Sequence, residues 1–592
     1  MRRLVLLPLV IVASACATTS DVADVPWREE ELRFRAGAVD RSLPDVDAIG
    51  YEVDLVVDAV LGHETFRASV KGTYVATRAL DEVSLDFEDN TIDEVQVSGR
   101  PAEHRREGGQ LVVKLPSPVA AGATFSSRIG YHGALRRADG LDPNDFAAFG
   151  GFMVKERNRE NERIFTTLSW PSKARRWLPL RDHPRDTAMI AIRATFPRSF
   201  TVLANGRRVA EQLHEDGSKT WSYEALTPMP TYDFHVSAYE GWAVDETRST
   251  SGIPIATYSY GRTRARAQKV YADLPKALDF FEGTFGKYRW GSAAFIEEPI
   301  FGGGMEHASV VSMDETLFDD PEEARVTAFH ELAHHWSGNA IHFRTWNDFW
   351  LSEGFTEYLT ARAIEHLDGA EAARTIWRGY LTETLAADKS TPHPLAPPLD
   401  GGREIDVLAI FDAIPYQKGA LTVRMLESIV GQAEMASFLR GWFERHGLGA
   451  AVTTDDLQRE LEIATGRDLA GFFAGFVRES GHPELRATFT TTGRETTVTI
   501  EQLQERGPSG GFVFPLDLDL IDDEGGHERI KVELTGKVTT TTVTTARTTA
   551  SILVDPDEYA VAVASCGQSG GRCRDGFRCA PQRAGISMCV PE

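Results

Sequence analysis

HELAHHW at His330 to Trp336, continued by WLSEGFTEY at Trp350 to Tyr358, is the stretch from which the rest of the chain is read. On an α-helix, residues four apart share a face one turn from each other, so His330 and His334 present two imidazoles to one metal ion. A third ligand is supplied by Glu353, nineteen residues after His334. Gly338 and Asn339 stop the first helix, and Trp346 to Phe349 lead into the apolar run that carries Glu353. Two imidazoles and a carboxylate suit Zn²⁺ and also other divalent ions. Catalytic zinc sites hold three protein ligands at roughly 2.0 to 2.2 Å and keep a fourth position for water. Glu331, beside the first ligand, is placed to take a proton from that water. HExxH alone recurs by chance in long chains; Glu353 in register makes the reading specific.

Two further segments flank this pair in a fixed order, GGGMEH at Gly302 to His307 and IPYQKG at Ile414 to Gly419. Together the three motifs resemble the zinc aminopeptidase family that contains aminopeptidase N and leukotriene hydrolase. The resemblance implies a thermolysin-like, mostly helical catalytic domain, peptide substrates and one Zn²⁺ per chain on His330, His334 and Glu353. It also makes Glu331 the base that activates water. Tyr416 becomes the phenol that donates to the oxyanion, although a tyrosine after proline is otherwise an ordinary core or turn residue. Glu306 becomes the carboxylate that holds a substrate's α-amine; its plainer reading is a partner for a neighbouring lysine or arginine. Gly302, Gly303, Gly304 and Met305 then form a sheet edge that a substrate strand approaches closely, where a bare glycine run reads as a turn.

Three positions depart from the family pattern. ARRWLPLRDHPRDTA at Ala174 to Ala188 keeps Arg175, Pro179, Asp182 and Pro184 of a family turn but has Leu180 where a cysteine is common. Leu168 stands where relatives of aminopeptidase N carry an amine-binding glutamine, and His307 replaces the usual asparagine. Near the second ligand, Glu357 reads either as a surface carboxylate or as a group that orients a ligating histidine. His335 falls on another helix face and reads as structural, while His342 and His366 have no nameable partner.

The fold class that follows is multidomain α+β. Period-two alternation from Tyr51 through FHVSAY predicts an N-terminal antiparallel β domain over 44–245. Helical spacing from Arg266 to Phe285 opens a catalytic domain over 246–484, and strands return in a small β-sandwich over 485–562. The threonine run from Thr539 to Thr549 reads as solvent-facing strand rather than a glycosylated stalk. Residues 563–592 form a cysteine-rich module in which Cys566, Cys573, Cys579 and Cys589 predict two disulfides of open pairing, with a zinc knuckle as the rival. A large helical domain of the kind that caps relatives is not expected, so the cleft is expected to be open.

The N-terminus has Arg2 and Arg3, an apolar run from Leu4 to Ala15, then Cys16. That run is too short to span a bilayer and suits a signal segment. Ala13 to Cys16 resembles a bacterial lipobox with Cys16 lipidated, the alternative being an ordinary signal peptide cleaved after Ala15. Residues 1–16 are thus a signal peptide and 17–43 a polar linker, and the expected place is the bacterial cell envelope, periplasm or surface, with a lipid anchor in the membrane. Across 592 residues, 63 Lys and Arg against 87 Asp and Glu give a net charge of −24. Such a surface excludes a nucleic-acid partner, which needs basic groups to neutralise phosphates. The functional expectation is a zinc aminopeptidase. Its alternatives are an open-cleft endopeptidase on the same scaffold and an inactive surface-binding protein.

Overall fold

The computed structural model describes residues 43–565 and, as backbone alone, 577–583 and 586–591. Cys16, Cys566 and Cys573, the signal segment and nearly all of the linker lie outside the described residues.

The alternating runs of the N-terminal region become two large sheets. The larger runs in the order Arg207–Leu213, Ser218–Glu224, Met189–Pro197, Val46–Asp58, Thr65–Ala76, Thr124–Ala134, Thr91–Val97, Arg100–Pro101. It is not wholly antiparallel: Val46–Asp58 and Met189–Pro197 pair in parallel, with Gly50 opposite Met189. The connection between these two strands is long, as a parallel crossover requires, and it supplies three of the five strands of the second sheet. That second sheet runs Thr201–Ala204, Val236–Tyr239, Ile164–Leu168, Gly151–Lys155, Arg136–Arg137. Tyr51, Phe66, Phe152, Trp177 and Phe234 are buried within the domain, and edge-on or tilted ring contacts join them. The family turn is tied by Arg175, whose backbone N and Nε donate to Asp182 at 3.1 and 3.0 Å.

Ala243–Arg248 starts a different sheet, ordered Ala243–Arg248, Pro254–Ser259, Ala293–Glu298, Val310–Asp314, Gly304–Met305. The helical period expected from Arg266 to Phe285 is met by two helices, Arg264–Val270 and Leu274–Phe285. Pro275 explains the break: without an N–H it suits only the first turn of the second helix. The helix Pro321–Ala333, which carries His330 and Glu331, packs on this sheet, and Trp350–Asp368, which carries Glu353, packs against that helix. Asp320 caps the former by accepting from the backbone N–H groups of Glu322 and Glu323 at 3.1 and 3.2 Å, and Pro321 occupies its first position. The helix Trp350–Asp368 ends at Gly369, whose φ of 93° an L side chain rarely adopts.

Ile414–Lys418 is a single π-helical turn leading into the helix Gly419–Val430. It lies against Trp350–Asp368 because two glycines meet. A Cβ on Gly354 would stand 2.7 Å from Gly419 Cα.

From Glu484 the chain forms two facing sheets. One contains Val538–Thr544, Glu495–Gln502 and Glu484–Thr492, and the other contains His527–Leu534, Phe514–Asp522 and Thr549–Val554. Thr539 to Thr544 of the threonine run are strand, and 545–548 turn toward the strand Thr549–Val554; Thr542 and Thr540 meet Thr497 and Thr499 on the neighbouring strand, hydroxyl to hydroxyl at 2.9 and 3.1 Å. Phe577–Arg583 and Ile586–Pro591 extend the first sheet as a hairpin in which Cys579 lies opposite Cys589. Buried apolar residues form one continuous core from the N-terminal sheets to this sandwich. Among the described residues, no helix is long and apolar enough to cross a membrane.

Candidate active site

The two ligand helices bring three donor atoms to one point. His330 Nε2 lies 2.9 Å from His334 Nε2, and Glu353 Oε2 lies 3.4 and 3.2 Å from these two nitrogens. Ligands about 2.05 Å from a tetrahedral ion stand about 3.3 Å apart, so this triangle has the size of a zinc site. The tautomer fits as well. His334 Nδ1 lies 3.0 Å from the Ser337 carbonyl, which only accepts, so the ring proton sits there and the Nε2 lone pair faces Glu353. Thr356 Oγ1 and Ser352 Oγ, at 3.1 and 3.3 Å, fix the same edge of the ring.

Electrostatics agree with the geometry. Burial disfavours a charged imidazole, yet Glu353 and Glu306 beside it hold His334 up to about 9, and Glu357 with Glu353 holds His330 well above its ordinary value. Burial would likewise raise the Glu353 carboxyl, but His334 and His330 hold it down to about 2. The crowd of carboxylates calls for positive charge between them, which a divalent cation supplies. The residues therefore fit the metal that their order suggests.

Glu357 needs a correction to its reading as a surface carboxylate. Its Oε1 lies 3.5 Å from His330 Nδ1, and it accepts a hydrogen bond from the Tyr380 hydroxyl. It fixes the ring of the first ligand from behind. His335 is structural, as expected, with Nδ1 2.9 Å from the Tyr288 hydroxyl and burial pushing the ring down to about 3. His366 stacks on Phe280 at 4.7 Å between ring centres, and His342 is buried in the short strand Ile341–Phe343.

The His330–His334–Glu353 triangle and Glu357 line a cleft of about 260 Å³. Glu306, Glu331, His330, His334, Glu353, Glu357, Gly303, Gly304, Met305 and Tyr416 all border it. Glu306 is buried, 6% exposed, and none of the described lysines or arginines lines the cleft beside it. Glu331 is also buried, its Oε2 has no hydrogen-bond partner among the described residues, and burial pushes the carboxyl up to about 8. Tyr416 is half-buried, with its ring 6.3 Å from that of His330 and 16° from parallel. Burial and the surrounding carboxylates hold its phenol well above the usual range, so it keeps its proton.

In the glycine run, Gly304–Met305 is an edge strand that pairs with Met313 and Ser312 on one side and borders the cleft. A Cβ on Gly304 would lie 2.3 Å from Glu331 Oε1, so this glycine makes room for the Glu331 carboxylate. Gly302 does not border the cleft and has open space around it. Leu168 is fully buried under the cleft rather than in its wall, which Trp170 forms instead. Around Trp170 stand Phe146 and Phe411, at 5.6 and 5.0 Å between ring centres, with Phe301 5.4 Å from Phe146.

Several of these groups escaped the sequence reading. Trp170 and Asp233 come from the N-terminal domain, and no periodicity connects them to the zinc motif. Asp233 is wholly buried with neither carboxylate oxygen hydrogen-bonded among the described residues. Burial, with Glu306 and Glu331 nearby, pushes it far up, so it is a neutral acid. The stretch TYDF, an acid inside an apolar strand entry, was the available signal.

Comparison with known proteins agrees with this geometry. Residues 48–232 match the peptidase M1 N-terminal domain and residues 271–476 match the peptidase family M1 domain. The chain is 30% identical over 383 residues to aminopeptidase M1 of Arabidopsis thaliana, covering 61% of this chain and 42% of that protein. It is 25% identical over 389 residues to tricorn protease-interacting factor F2 of Thermoplasma volcanium, covering 63% and 48%. With glutamyl aminopeptidase of Sus scrofa it shares 25% over 472 residues, covering 75% and 49%. The matches thus span about half the length of these relatives or less. Two adjoining domain matches in the family's order, around a complete ligand triangle, make this chain a member of peptidase family M1, the zinc aminopeptidase family.

Proposed function

We propose that the chain is a zinc-dependent aminopeptidase that removes residues from the N-terminus of peptides. The observation that carries this is the placement of Glu306, a buried carboxylate in the cleft wall beside the His330–His334–Glu353 triangle. A buried carboxylate facing a cleft without basic neighbours is a site for a substrate's α-ammonium. Held there, the amine sets the first peptide bond over the triangle and leaves no room for residues before it.

His330, His334 and Glu353 would hold the ion. The chemistry it supplies when bound is Lewis acidity, which lowers the pKa of water toward about 7 and polarises a carbonyl oxygen. Glu331 takes the proton of the attacking water and returns it to the leaving amine, a role suited to a carboxyl that burial has made more basic. Tyr416 donates its phenol proton to the oxygen that becomes negative as the carbonyl is attacked, and so favours the transition state over the ground state. Trp170, Phe301 and Phe411 give the cleft an aromatic wall, which suits large apolar first residues.

Zinc-loaded protein should hydrolyse aminoacyl-p-nitroanilides, leucine and phenylalanine ahead of glutamate. Glu331→Gln should abolish turnover while keeping zinc, and Glu306→Gln should lower kcat/KM about 10- to 100-fold, the worth of one charged hydrogen bond. Full activity in Glu306→Gln would defeat the amine-site assignment.

Export and lipidation at Cys16 form a further proposal, supported by Arg2, Arg3 and the apolar run that ends at Cys16. Labelled palmitate incorporated by wild type and not by Cys16→Ser would support it, and equal labelling would refute it.

A further inference from the structure

His235, Glu298 and His307 form a second group of metal-ligating side chains, and the proposed reaction does not use them. His235 leads into the strand Val236–Tyr239 of the N-terminal domain, Glu298 ends Ala293–Glu298 of the catalytic sheet, and His307 follows Glu306. All three are wholly buried. One donor atom of each lies within 4.8 Å of the other two, and His235 Nε2 is 3.4 Å from Glu298 Oε1.

The outer atoms of the group are satisfied. His235 Nδ1 donates to the Thr167 carbonyl at 3.0 Å, Glu298 Oε2 accepts from Ser237 Oγ at 2.6 Å, and His307 Nδ1 meets Ser312 Oγ at 2.8 Å. The inner atoms, His235 Nε2, Glu298 Oε1 and His307 Nε2, have no hydrogen-bond partner among the described residues.

A carbonyl only accepts, so the proton of a neutral His235 sits on Nδ1 and Nε2 turns a lone pair toward a carboxylate oxygen. Two acceptors facing each other in a dry interior are costly unless positive charge lies between them. Among the described residues, Glu298 has no lysine or arginine within ion-pair distance; its ion-pair partner is His235. Burial holds both rings below their ordinary basicity, and His235 adds to the effect on His307.

We propose that His235, Glu298 and His307 bind a second divalent cation, Zn²⁺ by the character of the donors, which ties the N-terminal domain to the catalytic sheet. The donor set is the same as that of the catalytic triangle, and none of its members borders the cleft. The ion is therefore structural. The two rings lie 4.0 Å apart and 17° from parallel, against 4.6 Å and 79° for His330 and His334. Seating the ion tilts one ring about its Cβ–Cγ bond. This inference rests on these donors alone and does not depend on the peptidase reading.

The test is a zinc count by mass spectrometry on the full chain. Thiols are alkylated first so that cysteines hold no metal, and the protein is saturated with zinc and then desalted. Wild type should hold two zinc ions per chain, His334→Ala one, His307→Asn one, and the double variant none. The ion lost in His307→Asn should be the slower of the two to leave wild type under chelator, since it is sealed from the cleft. One ion in wild type and none in His334→Ala would overturn the proposal, and this pair of measurements needs no change in the buried group. Two ions persisting in both His307→Asn and His235→Asn would overturn it equally.

Discussion

Replacing Gly304 with alanine places a methyl group inside the space that Glu331 occupies. The added carbon would lie 2.3 Å from Oε1 and 2.5 Å from Cδ and Cγ of Glu331. Ordinary carbon contacts begin about 1 Å further out, and the strand cannot retreat because Gly304 is paired to Met313. The carboxyl, with Oε2 unbonded, is the part free to move. It swings away from the attacking water by about 1 Å, a displacement that costs roughly a hundredfold in rate when it separates a base from its proton. The ligands do not move, so zinc content and thermal midpoint should stay those of wild type. The assay is kcat on leucyl-p-nitroanilide with zinc measured on the same sample. A kcat within twofold of wild type at full zinc would refute the role of Glu331 as the base held at that position.

Tyr416→Phe should lower kcat about a hundred- to a thousandfold with normal zinc, the usual loss of one oxyanion donor, and unchanged kcat would remove the tyrosine from the mechanism. Gly354→Ala should lower the thermal midpoint and weaken zinc binding together, because the new Cβ meets Gly419 and Pro415 backbone at 2.7 to 3.0 Å and overpacking costs about 1–3 kcal/mol; a wild-type melting curve would contradict this. Lys173, 6% exposed with Nζ unbonded among the described residues, is pushed down to about 7 by burial and by Arg176 and Arg136. The unfolded chain then binds more protons between about pH 7 and pH 10, so stability rises with pH across that window, and the cost at neutral pH is of the order of 4 kcal/mol. Lys173→Met should melt higher than wild type at pH 7 with the gap closing toward pH 10; a gap independent of pH would refute the titration.

His330, His334, Glu353 and Glu331, which meet in the candidate site, were legible in the sequence because a helix fixes their spacing, and Glu306 and Tyr416, which border the same cleft, were singled out through the family resemblance. Strand alternation likewise marked both β regions. What the sequence left open depended on contacts between distant segments. Glu357 lies one turn past Glu353 on the sequence pattern, but only the packing of Tyr380 shows that it turns inward to His330. Leu168 marked a missing amide, while its burial beneath Trp170 shows that the position does not face the cleft. The purpose of Gly304 is set by a side chain from another element, and a glycine run alone does not reveal it. The parallel pairing of Val46–Asp58 with Met189–Pro197 joins residues more than a hundred positions apart, beyond any local pattern.

The central claim, that Glu306 anchors a free α-amine beside the triangle, is tested most directly with one peptide in two forms, free and acetylated at its N-terminus. Each is incubated with zinc-loaded protein, with Glu331→Gln as control, and the products are followed by mass spectrometry. The account predicts stepwise loss of N-terminal residues from the free peptide alone. Internal cleavage of both forms would contradict it and identify an endopeptidase, and no cleavage of any peptide in a broad set would leave a binding protein on this scaffold.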